Sequence, residues 1–214
     1  MSSPSLNNIP PPSGPRERIL ETARALFYSR GVNNVGVDLI IAESGVAKAT
    51  LYKHFKSKDE LIMAYLREGD LRWLEWLEGT VVRLAPHPQD QLIAVWDALE
   101  EWFTLLLFRG CLLTNAVIEL AQPEHPARAV LLEHKERVRI YFETLAVKAG
   151  VSEPRLTSEL WIFLLEGATV TAARERTSSN AGIACKLARD FLAQEIALEP
   201  QTRAQMLEHL DFEF

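Results

Sequence analysis

The chain has 214 residues, of which 48% are apolar and 24% charged, and its formal net charge is −6. This composition excludes an intrinsically disordered chain, and the length allows one or two domains with a buried core. No apolar run approaches the roughly 18 residues of a membrane span, and there is no secretory signal pattern. The two distant cysteines predict neither a disulfide framework nor a zinc site, so we expect a protein of the reducing cytoplasm.

Charge is distributed unevenly along the chain. Residues 1–60 hold eight Lys and Arg against six Asp and Glu, a net charge of +2, whereas residues 61–214 hold 15 against 23, a net charge of −8. A mildly basic head on an acidic body is typical of a DNA-binding region attached to a region that does not bind DNA. Many enzymes show the same division by chance, so residue patterns must decide between these classes.

The N-terminal third predicts a tail followed by three short helices. Residues 1–15 contain five prolines and are expected to be a disordered tail. From residue 16 the apolar residues recur at helical spacing up to Gly31, and a second helix is predicted from Val37 to Ser44. Gly45 supplies a turn, and a third helix follows from Lys48 to Phe55. Two short helices joined by a glycine turn are typical of a helix-turn-helix, whose second helix enters the DNA major groove.

The third helix is predicted to have one buried and one exposed side. Leu51 and Phe55 lie four residues apart and should face the core. The other positions carry donors suited to phosphates and base edges, although a solvated face of an ordinary helix would look similar. The position after Gly45 favours the DNA-binding interpretation, with the contact residues Lys48, Ala49, Thr50, Tyr52, Lys53 and His54.

A capping box, Ser57-Lys58-Asp59-Glu60, begins the next helix. We expect the Ser57 hydroxyl to accept from the Glu60 amide and the Glu60 carboxylate to reach back to the Ser57 amide. The free amides of this helix start, together with Lys58, would bind a DNA phosphate beside the recognition helix. Apolar spacing continues to residue 84, so one long helix should connect head and body.

The rest of the chain is predicted to be helical, with no alternating strand pattern. Helices are expected at 90–108, 111–121, 126–149, 154–175 and 181–198. The fold class is therefore all-α: a three-helix head at 16–60 and a helical body at 61–199. Residues 200–214 form a C-terminal tail in this division.

The head resembles the TetR family of bacterial transcriptional regulators. The resemblance lies in RERILETARALFYSRGVNN followed by GVAKATLYKHFKSKDELI, within residues 16–66. It implies a homodimeric repressor that binds a near-palindromic operator and releases it when a small molecule enters the body. It also implies that Tyr52, His54 and Lys58 contact phosphates. Where the family carries Ser or Thr before the recognition helix, this chain has Ala47, which removes a side-chain cap.

The body predicts an effector site and a dimer face. Aromatic and polar residues are expected to line a small-molecule cavity: Trp102, Phe103, Cys111, Asn115, Glu119, Tyr141, Phe142, Trp161 and Glu166. Plain core packing is the alternative for each of them. For Cys111 two interpretations stay open, a redox sensor and an inert thiol. The last two helices should form a four-helix bundle with a second copy through Leu160, Phe163, Leu164, Gly167, Ala168, Thr171, Ile183, Leu187 and Phe191.

We expect the effector to shift the long helix at 57–84 and so change the distance between the two recognition helices, which operator binding holds at about one DNA turn. A regulator whose body only dimerises or recruits a protein, without small-molecule sensing, remains an alternative. An all-α enzyme or cofactor carrier is disfavoured, because the histidines 87, 125, 134 and 209 have no partners at metal-ligand or catalytic spacing. We therefore expect no metal, cofactor or catalytic residue.

Overall fold

The structure is a computed structural model that describes residues 14–197, with the side chains of 195–197 left out. Within this range the chain forms nine α-helices and a short 3-10 helix, and no strand, which confirms the all-α class. The helices are α1 Pro15–Arg30, α2 Val37–Ser44, α3 Lys48–His54, α4 Lys58–Leu84, α5 Gln91–Phe103, α6 Leu112–Leu120, α7 Ala127–Lys148, α8 Pro154–Glu175 and α9 Ser179–Ala197, with the 3-10 helix at Pro88–Asp90. The predicted tail at 200–214 and residues 1–13 of the predicted N-terminal tail lie outside the described residues.

The predicted helix at 90–108 is wrong at its C-terminal end, because α5 ends at Phe103. The amide of Leu105 donates to the carbonyl of Trp102 and that of Phe108 to the carbonyl of Leu105, so the chain turns instead of continuing the helix. The turn brings the Phe108 ring back to 5.0 Å from the rings of both Trp102 and Phe103. Aromatic packing thus ends the helix where the sequence carries no proline or glycine.

A first hydrophobic core joins the head to part of the body. It contains the apolar sides of α1, α2 and α3 and the first two turns of α4, including Ile19, Ile40 and Leu51. Leu113 of α6 and Val130 of α7 complete it. The three-helix head is therefore packed directly against body helices as well as being covalently connected through α4.

A second hydrophobic core lies in the body. It contains the C-terminal half of α4 and the facing sides of α5, α7, α8 and α9. At its centre the rings of Trp96 and Trp161 lie 6.0 Å apart, and the Trp161 indole donates to the carbonyl of Leu92 at 3.0 Å. Since α4 is one helix of 27 residues, it contributes to both cores and couples their positions.

Gly69 marks the closest approach of α4 to α6. A Cβ atom at this position would lie 2.7 Å from Cδ2 of Leu112, which is shorter than real Cβ contacts. Glycine inside a helix destabilises it by roughly 1 kcal/mol relative to alanine. Here that cost allows α6 to pack against the middle of α4.

The loop before α6 is hydrogen-bonded to the end of α1, and we call this set of contacts the Arg109 link. The Arg109 guanidinium donates to the carbonyls of Tyr28 and Ser29, and the Arg109 amide donates to the Tyr28 hydroxyl at 2.8 Å. That hydroxyl donates in turn to the carbonyl of Gly110 at 3.2 Å. A cation placed on the last carbonyls of a helix also interacts favourably with its dipole. The link therefore fixes the loop before α6 to the head.

Candidate nucleic-acid interface

The turn between α2 and α3 has the backbone that a helix-turn-helix needs. Gly45 is left-handed at φ 66°, a conformation that side chains disfavour, and its amide donates to the carbonyl of Ile41 at 3.1 Å. Beyond the turn, Leu51 and Phe55 are each 1% exposed and fix α3 against the head core. This packing decides which side of α3 faces outward.

The outer side of α3 carries the residues predicted to contact DNA. Lys48, Ala49, Tyr52 and Lys53 are exposed, while Thr50, His54 and Lys58 are partly exposed. Lys48 lies 3.4 Å from Asp38 across the turn, but both side chains are well exposed, so this ion pair contributes little to stability. All seven predicted residues are thus at least partly exposed, six on α3 and Lys58 at the start of α4, and we call the exposed side of α3 the α3 surface.

Helix α3 begins without a side-chain cap. Its N-cap residue is Ala47, and the amides of Thr50 and Leu51 donate only to the Ala47 carbonyl. No protein side chain therefore covers the first amides of α3 within the described structure. Arg16 of α1 lies over the Phe55 ring at 5.3 Å from the guanidinium carbon to the ring centre, which ties the opposite end of α3 to α1.

The start of α4 differs in one detail from the predicted capping box. The Ser57 hydroxyl accepts from the Glu60 amide at 3.1 Å, as expected. The Glu60 carboxylate, however, accepts from the amide of Lys56 at 2.7 Å instead of that of Ser57. The extended backbone at Ser57, with φ −147° and ψ 165°, leaves the Lys56 amide within reach of the carboxylate. The helix start is capped reciprocally, one residue further back than expected.

The residues predicted to line an effector site are dispersed. Trp102, Phe103, Phe142 and Trp161 are buried in the second core. An open groove of about 410 Å³ lies between α4 and α7, and of the nine predicted residues it includes Tyr141 alone. Burial raises the pKa of the Tyr141 hydroxyl above its usual range.

Three of the predicted polar residues bind other parts of the chain. The Asn115 amide donates to the carbonyl of Arg109 at 2.8 Å, and the Glu119 carboxylate accepts from the backbone amide of Asn33 in the head at 3.3 Å. Glu166 forms an ion pair with Lys135. The predicted pair Asn115 and Glu119 therefore lies where α6 meets the head.

A buried polar cluster in the body was not expected. The Asp70 carboxylate, 1% exposed, lies 2.8 Å from Nδ1 of His134 and forms an ion pair with Arg137. Burial opposes ionisation of Asp70, but hydrogen bonds from His134 and Arg137 outweigh it and lower the pKa of the carboxyl. Sequence reasoning had left His134 without a partner. The signal that could have revealed Asp70 is its place on the apolar stripe of α4, between Leu66 and Trp73.

The predicted dimer face contains exposed apolar side chains on α8 and α9. Phe163 is 74% exposed, Ile183 59% and Leu187 51%. Gly167 is also exposed, whereas Leu160, Leu164, Thr171 and Phe191 are partly buried and Ala168 is buried. Val170, about two helical turns beyond Phe163 on the same helix, is a further exposed apolar residue that was not predicted.

No helix among the described residues has the length and apolar character required to cross a membrane. The same residues contain no group of three or more His, Cys, Asp or Glu side chains arranged to hold a metal ion.

Comparisons with known proteins agree with the fold and the head. Residues 19–65 match the family model described as bacterial regulatory proteins, tetR family. The repressor KstR2 of Mycolicibacterium smegmatis is 30% identical over 90 residues, covering 41% of this chain and 42% of that protein. A helix-turn-helix-type transcriptional regulator of Staphylococcus aureus is 43% identical over 56 residues, covering 26% of this chain and 30% of that protein. The chain thus spans less than half the length of these curated relatives.

The similarity in structure extends beyond the head. The crystal structure of SCO4454, a TetR-family transcriptional regulator from Streptomyces coelicolor, superposes with a TM-score of 0.75. It covers 84% of this chain and 95% of that one at 29% sequence identity, so the match includes the body helices. With the family model on the head and the same fold through the body, this chain belongs to the TetR family of bacterial transcriptional regulators.

Proposed function

We propose that this chain is a cytoplasmic transcriptional repressor that binds a near-palindromic DNA operator as a homodimer and releases it when a small apolar or aromatic effector binds the body. The observation that carries the proposal is the α3 surface, where Lys48, Tyr52 and Lys53 are exposed around the buried anchor Leu51. Such a helix presents donors at fixed spacing, as major-groove readout requires.

The arrangement around α3 supports phosphate binding beside base contact. Lys58 lies in the first turn of α4, whose N-terminus carries the positive end of the helix dipole. The uncapped first turn of α3 at Ala47 adds free backbone amides, which are good phosphate donors. A basic surface of this kind offsets the acidic body, which repels DNA on its other sides.

Dimerisation is supported by the apolar face of α8 and α9. Phe163, Ile183 and Leu187 are more than half exposed, and an apolar patch of this kind is typical of a protein interface. Pairing α8 and α9 with the same helices of a second copy would form a four-helix bundle about a twofold axis. A twofold dimer places two recognition helices on successive major grooves, about 34–36 Å apart.

Release of DNA would follow from the continuity of α4. Because α4 packs in both cores, a change in the body that tilts it also moves α3. An effector needs to favour the non-binding spacing by only a few kcal/mol to empty the operator.

The DNA-binding part is tested by selecting a binding site from a random duplex library and measuring its affinity by fluorescence anisotropy at several salt concentrations. Lys53→Ala should weaken binding and reduce the salt slope by about 1, because one phosphate contact is lost. Tyr52→Phe should weaken binding if its hydroxyl donates to phosphate. Lys148→Ala, which removes an exposed lysine at the end of α7, is the matched control and should bind as the wild type does. Equal affinity for all four proteins would contradict the assigned surface.

Dimerisation is tested by light scattering after size-exclusion chromatography. Phe163→Glu should convert the dimer to a monomer, because a carboxylate would be buried without a partner in the interface. Leu132→Glu is the matched control, since Leu132 is 61% exposed on α7 outside the predicted face. A monomeric wild-type protein, or a dimeric Phe163→Glu, would exclude this interface.

A regulator whose body only dimerises or recruits a protein is the second candidate. It is favoured by the dense second core, where Phe142 and Trp161 are 0% exposed. Mass spectrometry of denatured, freshly purified protein would distinguish the two candidates, because a co-purifying small molecule that weakens operator binding supports the sensor. A thermal-shift screen of aromatic and aliphatic compounds with no stabilised condition would support the alternative.

A further inference from the structure

The pair formed by Asp70 and His134 lies at the boundary between the two hydrophobic cores. Leu66 on α4 and Val130 on α7 lie one helical turn before this pair, and both belong to the first core. The next buried apolar residues on both helices belong to the second core. Both helices therefore pass from the core of the head into the core of the body at the level of this pair.

The polar contacts at this level join α4 to α7 away from water. Asp70 is 1% exposed and His134 3% exposed, and Oδ1 of Asp70 lies 2.8 Å from Nδ1 of His134. The other oxygen of the same carboxylate accepts from the Arg137 guanidinium. We call these three side chains the Asp70 bridge. Since α7 supplies both partners of one carboxylate on α4, the bridge fixes the two helices to each other at one level.

A hydrogen bond restricts the relative position of two helices more than an apolar contact does. It weakens steeply when its distance or angle departs from the ideal, whereas burial of apolar surface is non-directional. The apolar contacts on either side of the bridge therefore allow small shifts that the bridge opposes. Gly69, which precedes Asp70, makes α4 easier to deform, because glycine disfavours a helix interior. The head can thus move against the body most easily at the level where the bridge opposes that movement.

His134 carries the proton that gives the bridge its strength. Burial lowers the pKa of His134, but the hydrogen bonds to Asp70 and Cys111 outweigh burial and raise this pKa. Burial raises the pKa of the Cys111 thiol, but the hydrogen bond from His134 and the charge of Lys135 outweigh burial and lower it to about 6. At neutral pH an imidazolium therefore lies between two anions, the Asp70 carboxylate and the Cys111 thiolate.

Several charged groups face the imidazole, directly or through a neighbouring cation. They are Asp70 on α4, Cys111 at the start of α6, Lys135 and Arg137 on α7, Glu166 on α8 through Lys135, and Glu133 on α7 through Arg137. As the pH rises through the raised pKa of His134, the imidazolium becomes neutral while Asp70 stays a carboxylate. The hydrogen bond between them then loses its charge assistance, which is roughly half of its strength.

We propose that the Asp70 bridge is a proton-dependent link that sets the position of the head relative to the body. With His134 protonated, the bridge holds α4 against α7, and the two recognition helices of a dimer keep one spacing. Loss of this proton weakens the bridge, so the two heads sample several spacings, of which one fits the operator. Operator affinity should therefore fall as the pH rises from neutral to alkaline. This effect on DNA rests on the function proposed above, whereas the proton-dependent link itself does not.

The first experiment measures the titration of His134 in the full-length protein by NMR of the histidine rings. The chain has five histidines, and His134→Gln identifies the signal of His134. We expect a midpoint above 6.5 in the wild type and a lower midpoint in Asp70→Asn, because a neutral amide no longer stabilises the imidazolium. Asp97→Asn, an exposed change on α5, should leave the midpoint in place. A wild-type midpoint at or below 6.5, or equal midpoints in the wild type and Asp70→Asn, would overturn the proposal.

The second experiment follows the bridge by amide hydrogen exchange, corrected for the pH dependence of intrinsic exchange. It compares one pH unit below and one above the midpoint found by NMR. Protection of residues 66–74 and 130–138 should fall by about fivefold in the wild type, the ratio expected when a charge-assisted hydrogen bond becomes neutral. In His134→Gln, whose amide does not titrate, protection should be equal at both values. His87→Gln, at an exposed position, is the matched control and should behave as the wild type does. Equal protection at both values in the wild type would exclude a proton-dependent link.

The third experiment measures operator affinity by fluorescence anisotropy at constant ionic strength over the same pH range. Affinity of the wild type should fall by up to about fivefold across the midpoint of His134, and His134→Gln should lack this step. In Asp70→Asn the step should move to lower pH together with the NMR midpoint. His54 of the α3 surface is present in all these proteins, so its own titration cancels in the comparison.

Equal pH profiles of affinity in the wild type, His134→Gln and Asp70→Asn would overturn the coupling between the bridge and operator binding. A protein that selects no DNA would instead contradict the proposed function. The NMR and hydrogen-exchange measurements use no DNA, so the two failures are distinguishable.

Discussion

The head and the body of this chain bury different kinds of residues. Between residues 14 and 60 every fully buried side chain is apolar, with Leu51 and Phe55 as examples. From residue 70 onward the described structure also buries Asp70, Thr80, Gln91, His134, Thr157, Ser158 and Thr169. Each buried polar group must find a partner or reduce stability. The head is therefore built for rigid presentation of α3, whereas the body carries polar groups whose pairing can change.

This difference in buried residues indicates that the body, more than the head, can respond to the binding of a small molecule or a proton. An apolar core responds to perturbation by losing packing energy over the whole unit, so it has few intermediate states. A buried ion pair or an unpaired donor responds to one proton or one ligand atom. The Asp70–His134 pair lies on α4 and α7, close to the point where the first core meets the second.

The largest change in the free energy of unfolding is expected when Asp70 is replaced. Asp70→Ala leaves His134 buried without its carboxylate and should reduce the free energy of unfolding by about 3 kcal/mol, the lower end for a broken buried pair. The lower end applies because Arg137 is 38% exposed and can return to water. Urea denaturation at pH 7 measures this loss. Asp97→Ala, at an exposed position on α5, is the control and should change stability little. Equal free energies of unfolding for Asp70→Ala and Asp97→Ala would contradict the view that buried polar pairs distinguish the body from the head.

The pH dependence of the same pair should follow from its two shifted groups. Because the pKa of Asp70 is lowered in the folded protein, its contribution to the free energy of unfolding is present above the unfolded-state pKa near 4. This contribution is lost as the pH falls through the folded-state pKa. Because the pKa of His134 is raised in the folded protein, its contribution to the free energy of unfolding is present below the unfolded-state pKa of about 6.5. This contribution is lost as the pH rises through the folded-state pKa. The stability difference between wild type and Asp70→Ala should therefore decline on both sides, by at most about 1.4 kcal/mol per pH unit. Urea midpoints from pH 3.5 to 9.5 test this, and a flat difference would contradict the pairing.

A smaller effect is expected at the start of α4 in the head. Ser57→Ala removes the hydroxyl that accepts from the Glu60 amide and should reduce stability by about 1 kcal/mol. Ser29→Ala, at an exposed serine within α1, provides the comparison and should stay within about 0.5 kcal/mol of the wild type. Thermal unfolding of the two variants measures the difference. If Ser57→Ala and Ser29→Ala lose the same amount of stability, the Ser57 cap does not determine the stability of α4.

The smallest expected effect is a gain in stability when a side-chain cap is added at position 47. Ala47 has extended backbone at φ −69° and ψ 147°, which suits a capping serine. Ala47→Ser should raise the free energy of unfolding by about 0.5 kcal/mol, since the new hydroxyl can accept from a free amide of α3. Ala49→Ser, inside the same helix, should instead lower it slightly. A loss in Ala47→Ser would mean that the first turn of α3 is constrained by something other than its cap.

Much of the architecture could be predicted from local pattern. The spacing of apolar residues placed α1, α2 and α3 and the long helix α4, and the motif GVAKATLYKHF identified the family. The end of α5 was mispredicted, because Phe108 fits the apolar spacing equally well in a helix or folded back on Trp102. The partner of Glu60 was wrong by one residue, because the sequence motif does not specify which amide the carboxylate reaches.

The sequence by itself determined the helices, the family and the composition of the α3 surface, because helical periodicity and a turn glycine act within a few residues of each other. Only the tertiary structure decided that Asp70 meets His134 across 64 positions, that Arg109 binds the end of α1 81 positions away, and that Lys135 lies 3.9 Å from the Cys111 sulfur. These contacts depend on how α4, α6 and α7 cross. The crossing is set by packing of both cores together, and no local pattern encodes it.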